Sequence, residues 1–270
     1  MKQLTADMGW SQQIQKALNE DLFVLHYQPI VATQSGKPTH YEVLLRMRAA
    51  GNQLVPPSSF LPAASRFGMM TDVDEWVIRH SLKALAKFRG KDKKLTFTLN
   101  ISGNIFEDAD LYGCIEENLV ANNLPPESIV LEITEQVAVR NIDTAADQIA
   151  EISKLGCRFA IDDFGAGYSS YSYLKNLPVH FIKIDGSFIK TLANDLVDQT
   201  IVSSISQIAR ATNKMTIAEH VPDAVTFHLL RELGIDYAQG YFVGKPRFKP
   251  SCRPIDVPTK LPRSKIKLVS

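Results

Sequence analysis

Residues 158–170, with the sequence Arg-Phe-Ala-Ile-Asp-Asp-Phe-Gly-Ala-Gly-Tyr-Ser-Ser, decide how the rest of the chain is interpreted. The apolar run Phe159–Ile161 is typical of a fully buried strand, and two consecutive carboxylates follow it. Successive side chains of a strand point to opposite faces. We therefore predict that the strand ends at Asp162 and that a turn brings Asp163 to the same spot. Gly165 allows the positive φ that such a turn needs.

Asp162 and Asp163 repel each other unless a cation or a shared proton relieves them. An exposed acidic turn is the plain structural alternative. The apolar run before the pair and the glycines after it favour a cation site instead. Ser169 or Ser170 can then cap a following helix.

Polar residues recur once in each predicted strand. We predict eight strands, the later ones separated by helix-length segments, which indicates a (β/α)8 barrel. They are Phe23–Gln28 (halted by Pro29), Tyr41–Met47, Leu95–Ile101, Ile129–Ile133, the strand ending at Asp162, Phe181–Ile184, Met215–Glu219 and Tyr237–Gln239. Their polar residues are Gln28, Glu42, Asn100, Glu132, Asp162, Lys183, Glu219 and Gln239. Barrel sites form where strand ends converge, whereas an open doubly wound sheet, the alternative fold, would not bring these side chains together.

Composition describes an ordinary globular chain of 270 residues with 45% hydrophobic and 22% charged residues. A net charge of +1 provides no overall field for a nucleic-acid polymer or an acidic membrane. We find no membrane-spanning segment or secretion signal. The three cysteines lack metal-ligand spacing and suit a reduced setting, so we expect a cytoplasmic protein.

Three segments are expected along the chain. Residues 1–20 read as an N-terminal helix or linker, and residues 21–250 form the barrel. Residues 251–270 form a basic C-terminal tail that is expected to be disordered.

Carboxylate and amide oxygens at the strand ends suit Mg²⁺ or Mn²⁺ rather than zinc. The acids exceed what one Mg²⁺ needs, and two ions about 3.5–4 Å apart are typical of phosphoryl-transfer hydrolases. Lys183 either neutralises surplus acid or orients the attacking water. Arg46 either clamps a phosphate or is a surface charge. The residues alone indicate a two-metal phosphoester hydrolase, and a barrel enzyme acting on an enol-forming acid also fits the oxygen ligands.

Eight short motifs, in order and at family spacing, resemble the EAL domain of bacterial cyclic di-GMP phosphodiesterases. They are Tyr27–Ile30, Glu42–Arg46, Asn100–Ser102, Glu132–Glu135, Asp162–Gly165, Lys183–Asp185, Ala218–Glu219 and Gln239–Tyr241. The resemblance implies a modified triosephosphate-isomerase-type barrel with an antiparallel first strand, often a homodimer. It also implies Mg²⁺- or Mn²⁺-dependent hydrolysis of cyclic di-GMP to linear pGpG.

The resemblance also carries residue roles. The metal ligands it implies are Glu42, Asn100, Glu132, Asp162, Asp163 and Glu219. Lys183 would position the water and, with Glu42 and Glu219, make up the catalytic set. The substrate contacts would be Gln28, Leu44, Arg46 and Gln239, and Glu135 would brace the loop after Asp163.

Two departures from the family pattern bear on activity. Val43 replaces the motif alanine, a small apolar change, and Pro222 stands where active members usually carry a second glutamate. Asp223 is a candidate substitute for that carboxylate. The alternative function is a weak or inactive cyclic di-GMP sensor that acts through a partner protein. The N-terminal segment resembles a linker of larger signalling proteins, so the chain is expected to be an excised module.

Overall fold

The computed structural model describes residues 2–103, 105, 110–140, 142–167, 174, 175, 177–251, 254 and 255. The strands are β1 (Phe23–Ala32), β2 (Pro38–Arg48), β3 (Leu54–Val55), β4 (Thr96–Asn100), β5 (Ile129–Thr134), β6 (Arg158–Phe164), β7 (Phe181–Ile184), β8 (Met215–Ala218) and β9 (Tyr237–Gln239). The α-helices are α1 (Lys2–Asn19), α2 (Pro57–Arg66), α3 (Met70–Arg89), α4 (Leu111–Ala121), α5 (Glu135–Arg140), α6 (Ile142–Lys154), α7 (Gly186–Lys190), α8 (Leu196–Ala211) and α9 (Ala224–Glu232).

The sheet closes on itself, which confirms the barrel and excludes the open doubly wound alternative. Its strand order is β1-β9-β8-β7-β6-β5-β4-β2, and β1 also pairs with β2 to complete the ring. The first strand runs antiparallel to both neighbours, as expected, while the pairs from β2–β4 round to β8–β9 are parallel. The two-residue β3, which the sequence did not reveal, pairs with the outer end of β2.

The barrel interior explains why the polar residues converge. Five apolar side chains from five different strands pack together inside the ring: Ile30, Val130, Ala160, Phe181 and Ile217. Because every second residue of a strand shares a face, the inward residue two positions further towards the same barrel end is polar in each case. Those residues are Gln28, Glu132, Asp162, Lys183 and Glu219. They form the next layer of the barrel, at the carboxyl ends of its parallel strands.

Pro29 does not halt β1, so the predicted end of that strand was wrong. The strand continues to Ala32, with Pro29 opposite Tyr41 of β2. On its other edge, Tyr27 bonds to Arg247 and the pairing with β9 begins only at Ile30. Proline is tolerated here because its missing N–H falls between these two partners.

The strand that carries the paired acids also continues beyond its predicted end at Asp162, as far as Phe164. Its pairing with β7 shifts register between Ile161 and Phe164, and Asp163 has a φ of +54°. These are the features of a β-bulge, which redirects one side chain without ending the strand. Gly165 has the expected positive φ of +94°. The helix start predicted at Ser169 or Ser170 lies outside the described residues.

The N-terminal helix α1 packs on the barrel through Ile14 and Ala17, which belong to a second apolar cluster with α2, α3 and residues of β2. Within the stretches that the structure covers, none of the helices combines the length and apolar character needed to cross a bilayer.

At the other end, the described chain continues past residue 250. The Tyr41 hydroxyl donates to the carbonyl of Ser251, and the Ile255 N–H donates to the carbonyl of Gly36. The rest of the predicted tail, residues 252, 253 and 256–270, lies outside the described part.

We predict that Gly240→Ala destabilises the barrel. Gly240 has a φ of +152°, and a Cβ there would collide with the backbone of Val221, which the fold cannot move aside cheaply. The expected loss is at least about 2 kcal/mol in the free energy of unfolding, measured by urea titration.

Gly9→Ala is the matched control, because Gly9 lies in α1 and a Cβ there meets no atom within 4 Å. Alanine should stabilise that helix by about 0.5–1 kcal/mol. Equal stability of wild type and Gly240→Ala would contradict the close approach.

Candidate active site

Lys183 is the centre of the polar layer. Its side chain is fully buried on β7, and its Nζ lies 2.8 Å from Glu132 Oε2, 3.0 Å from Asp162 Oδ1, 2.9 Å from Glu219 Oε1 and 4.0 Å from Glu42 Oε1. Burial alone would lower the pKa of Lys183, but the surrounding carboxylates raise it well above its usual range. The lysine therefore stays charged in the barrel.

Glu42 is held by two amides on either side of the ring. Asn100 donates through Nδ2 to Glu42 Oε1 at 2.7 Å, and Gln239 donates to Glu42 Oε2 in a short hydrogen bond. The same Gln239 amide lies 3.3 Å from Gln28 Oε1, and Gln28 donates to the carbonyl of Gly244 at 3.1 Å. The Asn100 amide oxygen takes no part in its bond to Glu42 and is chemically suited to bind a cation.

The polar layer holds more buried negative charge than Lys183 neutralises. Burial raises the pKa of Glu132 well above its usual range and raises that of Glu219 to about 7, although Lys183 opposes both shifts. Glu132 Oε1 is buried and has no hydrogen-bond partner, and Asp162 Oδ1 has none of good geometry despite its closeness to Lys183. Buried acids with unpartnered oxygens are the donor set that a hard divalent cation satisfies.

Asp162, Asp163 and Glu219 form a compact ligand set. One carboxylate oxygen from each lies within 4.8 Å of the others, which is close enough to share an ion. The bulge in β6 brings the two consecutive acids to one spot, as the sequence predicted, but it does so without ending the strand at Asp162. Burial, followed by the neighbouring Asp162, raises the pKa of Asp163.

Two of the predicted substrate residues, Leu44 and Arg46, lie at the mouth above this layer. Leu44 is half-buried on β2, and the half-buried Arg46 donates to the carbonyl of Leu45 at 2.7 Å. Glu135, at the start of α5, accepts a hydrogen bond from the Gly165 N–H at 3.2 Å, which ties it to the loop after Asp163. The structure thus brings every predicted site residue to this end of the barrel.

Sequence analysis missed Asp74, which lies beside the site in a cavity of about 280 Å³. The cavity is also lined by Leu44, Asn100 and Glu132, so it opens onto the acid layer. Asp74 is only 4% exposed and accepts hydrogen bonds from the Ser102 N–H, at 3.1 Å, and from the Ser102 hydroxyl. Burial raises the pKa of Asp74 to about 7 despite these bonds. An acid among the core residues Val73, Trp76 and Val77 was the available signal.

Asp223 does not join the acid cluster. Its Oδ1 accepts the Thr226 N–H at 2.8 Å and caps the N-terminus of α9. Among the described acids, the set that could share an ion includes Asp162, Asp163 and Glu219 but not Asp223. Pro222 itself is exposed. The structure gives no support to Asp223 as a substitute for the family glutamate.

In this closed barrel the buried lysine and its surrounding acids lie at the carboxyl ends of the strands. This is the end at which barrel enzymes carry their active sites. The family model of the EAL domain matches residues 11–246, so the chain is a member of the EAL domain family.

Similar proteins include two curated relatives and a solved structure. The chain is 35% identical to cyclic di-GMP phosphodiesterase PdeF of Escherichia coli over 91% of its own length and 33% of that protein. It is 36% identical to cyclic di-GMP phosphodiesterase PdeB of Shewanella oneidensis over 88% of its length and 28% of that protein. The chain thus spans about a third of these relatives.

One structural neighbour is the EAL domain of FimX from Pseudomonas aeruginosa bound to c-di-GMP. It superimposes with a TM-score of 0.84 at 32% identity, covering 90% of this chain and 98% of that one. The family resemblance inferred from the eight motifs is therefore confirmed.

We predict a pH dependence of stability that belongs to Asp74. Burial keeps this carboxyl protonated up to about pH 7 in the folded protein, whereas in the unfolded chain it has the ordinary aspartate pKa of 3.8. The stability that the raised pKa contributes is fully present below pH 3.8 and is lost as the pH rises towards 7. Between pH 5 and 8, wild type should lose about 2–3 kcal/mol of unfolding free energy more than Asp74→Asn does.

Urea unfolding at both pH values, without divalent ions, measures this difference. Asp72→Asn is the control, because Asp72 is exposed on the same helix and should leave the pH dependence unchanged. Parallel pH profiles for wild type and Asp74→Asn would contradict the raised pKa.

We also predict that Asp223 serves the helix alone. Asp223→Ala should lower the free energy of unfolding by about 1 kcal/mol through loss of the cap, and Asp223→Asn should keep most of the stability. Turnover by Asp223→Asn should stay within twofold of wild type. A tenfold loss of turnover at wild-type stability would place this carboxylate in the chemistry instead.

Proposed function

We propose that this chain hydrolyses one phosphodiester bond of cyclic di-GMP to give linear pGpG. The observation that carries the proposal is the buried layer of acids around Lys183, with unpartnered carboxylate oxygens, in a chain of the EAL domain family. Relatives named cyclic di-GMP phosphodiesterases and a c-di-GMP-bound neighbour support the choice of substrate.

Two Mg²⁺ or Mn²⁺ ions are the cofactors that the donor set suits, because all its donors are carboxylate or amide oxygens. The residues that would hold them are Glu42, Asn100, Glu132, Asp162, Asp163 and Glu219. When bound, such ions lower the pKa of water and stabilise the charge that develops at phosphorus.

The protein's own side chains would orient the attacking water and stabilise the charge of the transition state. In the reaction the water oxygen bonds to phosphorus, the bond from phosphorus to the 3′-oxygen breaks, and the proton from water is transferred so that the 3′-hydroxyl forms. Lys183 would orient the water, since its ammonium is fixed by Glu132, Asp162 and Glu219 and cannot swing away. By holding a positive charge in a buried site it would also stabilise the extra charge of the transition state.

The mouth of the barrel suits a purine dinucleotide. Arg46 supplies a cation for the second phosphate, and Gln28, Leu44 and Gln239 would contact the substrate beside the acid layer. The cavity lined by Leu44 and Asp74 is mostly apolar and also includes Asn100 and the buried Glu132. Once ionised, Asp74 can only accept hydrogen bonds, so it would match the N1–H and 2-amino groups of guanine, whereas adenine N1 has no hydrogen to donate.

A second candidate function is a cyclic di-GMP sensor with little or no turnover. Pro222 favours it, because the glutamate that active members usually carry there is missing and Asp223 is engaged at the helix N-terminus. The retention of every other implied ligand favours the enzyme. A homodimeric state, a cytoplasmic location and membership of a longer protein stay predictions.

We expect the purified chain to convert cyclic di-GMP to pGpG with Mg²⁺ or Mn²⁺, measured by chromatographic separation of products. Ca²⁺, with its looser coordination, should support binding more than turnover. Glu42→Gln should reduce the rate at least about 100-fold, since it removes one implied ligand. Glu20→Gln, an exposed acid on the N-terminal segment, is the control and should match wild type.

The outcomes separate the candidate functions. Calorimetric binding of cyclic di-GMP with no product under either metal would establish the sensor. If the chain shows neither binding nor turnover, both candidate functions are rejected. The remaining alternative is then a barrel enzyme that acts on an enol-forming acid.

A further inference from the structure

We propose that Phe248 is a stacking platform for one purine base of the substrate. This inference rests on the proposed function. Phe248 lies two residues beyond the region that the family model matches, which ends at residue 246. It is 57% exposed, whereas phenylalanine side chains are most often buried.

The chain after β9 fixes the position of Phe248. Arg247 and Tyr27 exchange two backbone hydrogen bonds, with the Tyr27 N–H donating at 2.7 Å and the Arg247 N–H at 3.0 Å. This bridge attaches the segment to β1 on the side where β1 also pairs with β9. Phe248 follows directly and places its ring 4.3 Å from the ring centroid of His26 in an edge-on contact.

His26 belongs to the row of side chains that rises from the acid layer. On the paired strands β1 and β2, Gln28 is opposite Glu42, His26 is opposite Leu44, and Val24 is opposite Arg46. Directly opposite residues share a face, so His26 and Leu44 lie between the acids and Arg46. Burial and then the Arg46 charge lower the pKa of His26, which agrees with this closeness. Phe248 therefore stands over the row of predicted substrate contacts.

The chemistry of Phe248 matches a base and not a phosphate. Its ring has no polar atom, and its face can bury against a planar purine whose phosphate reaches Arg46. Tyr241 is the other exposed ring on this segment, at 69% exposure, but the Lys245 ammonium lies 5.3 Å from its centroid and covers one face. Phe248 has no such cover among the described residues.

The test measures binding of cyclic di-GMP in Ca²⁺ by calorimetry, and KM and kcat in Mg²⁺. Phe248→Ala should weaken binding and raise KM about tenfold, within the range expected for loss of one base stack, with kcat within twofold. Phe248→Trp should keep wild-type binding because it keeps an aromatic face, whereas Phe248→Leu should lose most of it. Tyr112→Ala, at an exposed ring on α4, is the control and should bind as wild type.

A purely structural role would give a different pattern. If Phe248 only anchors its segment on His26, Phe248→Leu keeps wild-type binding and Phe248→Ala lowers the melting temperature. That result, or wild-type binding by Phe248→Ala, overturns the platform. If wild type itself binds no cyclic di-GMP, the proposed function fails and this inference fails with it, whereas binding by wild type with unaffected variants rejects the platform alone.

Discussion

The ion-paired ammonium of Lys183 is the constraint on which the rest of the site depends. Four acids, each in or directly after a different strand, surround it in a buried layer where unpaired negative charge is costly. Without this cation, the barrel would have to bury those carboxylates protonated or leave its upper layer open to water. With it, the layer is compact but still negatively charged, so further cations bound at this place would stabilise it.

Layering inside the barrel explains how much of this could be predicted. Five polar residues each stand two positions along the chain from an apolar interior residue: Gln28, Glu132, Asp162, Lys183 and Glu219. The alternation of strands with helix-length segments, with one polar residue in each strand, was enough to predict the barrel and the convergence of the acids. The failures at Pro29 and Asp162 concern strand ends. There the outcome depends on which neighbour each backbone group faces, and no local pattern contains that information.

Asp74 and Phe248 escaped sequence reasoning because both act through distant partners. Asp74 lies on α3 and bonds to Ser102 after β4, while Phe248 reaches His26 across more than two hundred residues of chain. Residue type could flag Asp74, an acid in an apolar helix face. Nothing local distinguishes Phe248 from a tail residue. Its role follows from the backbone bridge at Arg247, which only closure of the barrel creates.

The site combines fixed and adjustable ligands, and this division determines where regulation would act. Glu42, Glu132 and Lys183 are buried on regular strands, where neighbours leave them little freedom. Asp163 is exposed on a bulge with a positive φ, and the Gly165 N–H at the start of the next loop donates a hydrogen bond to Glu135. A movement of the Glu135 side chain would therefore act through Gly165 on the exposed Asp163 rather than on Glu42 or Lys183. Such a shift would change how well the Asp162–Asp163–Glu219 set fits a cation while the barrel stays intact.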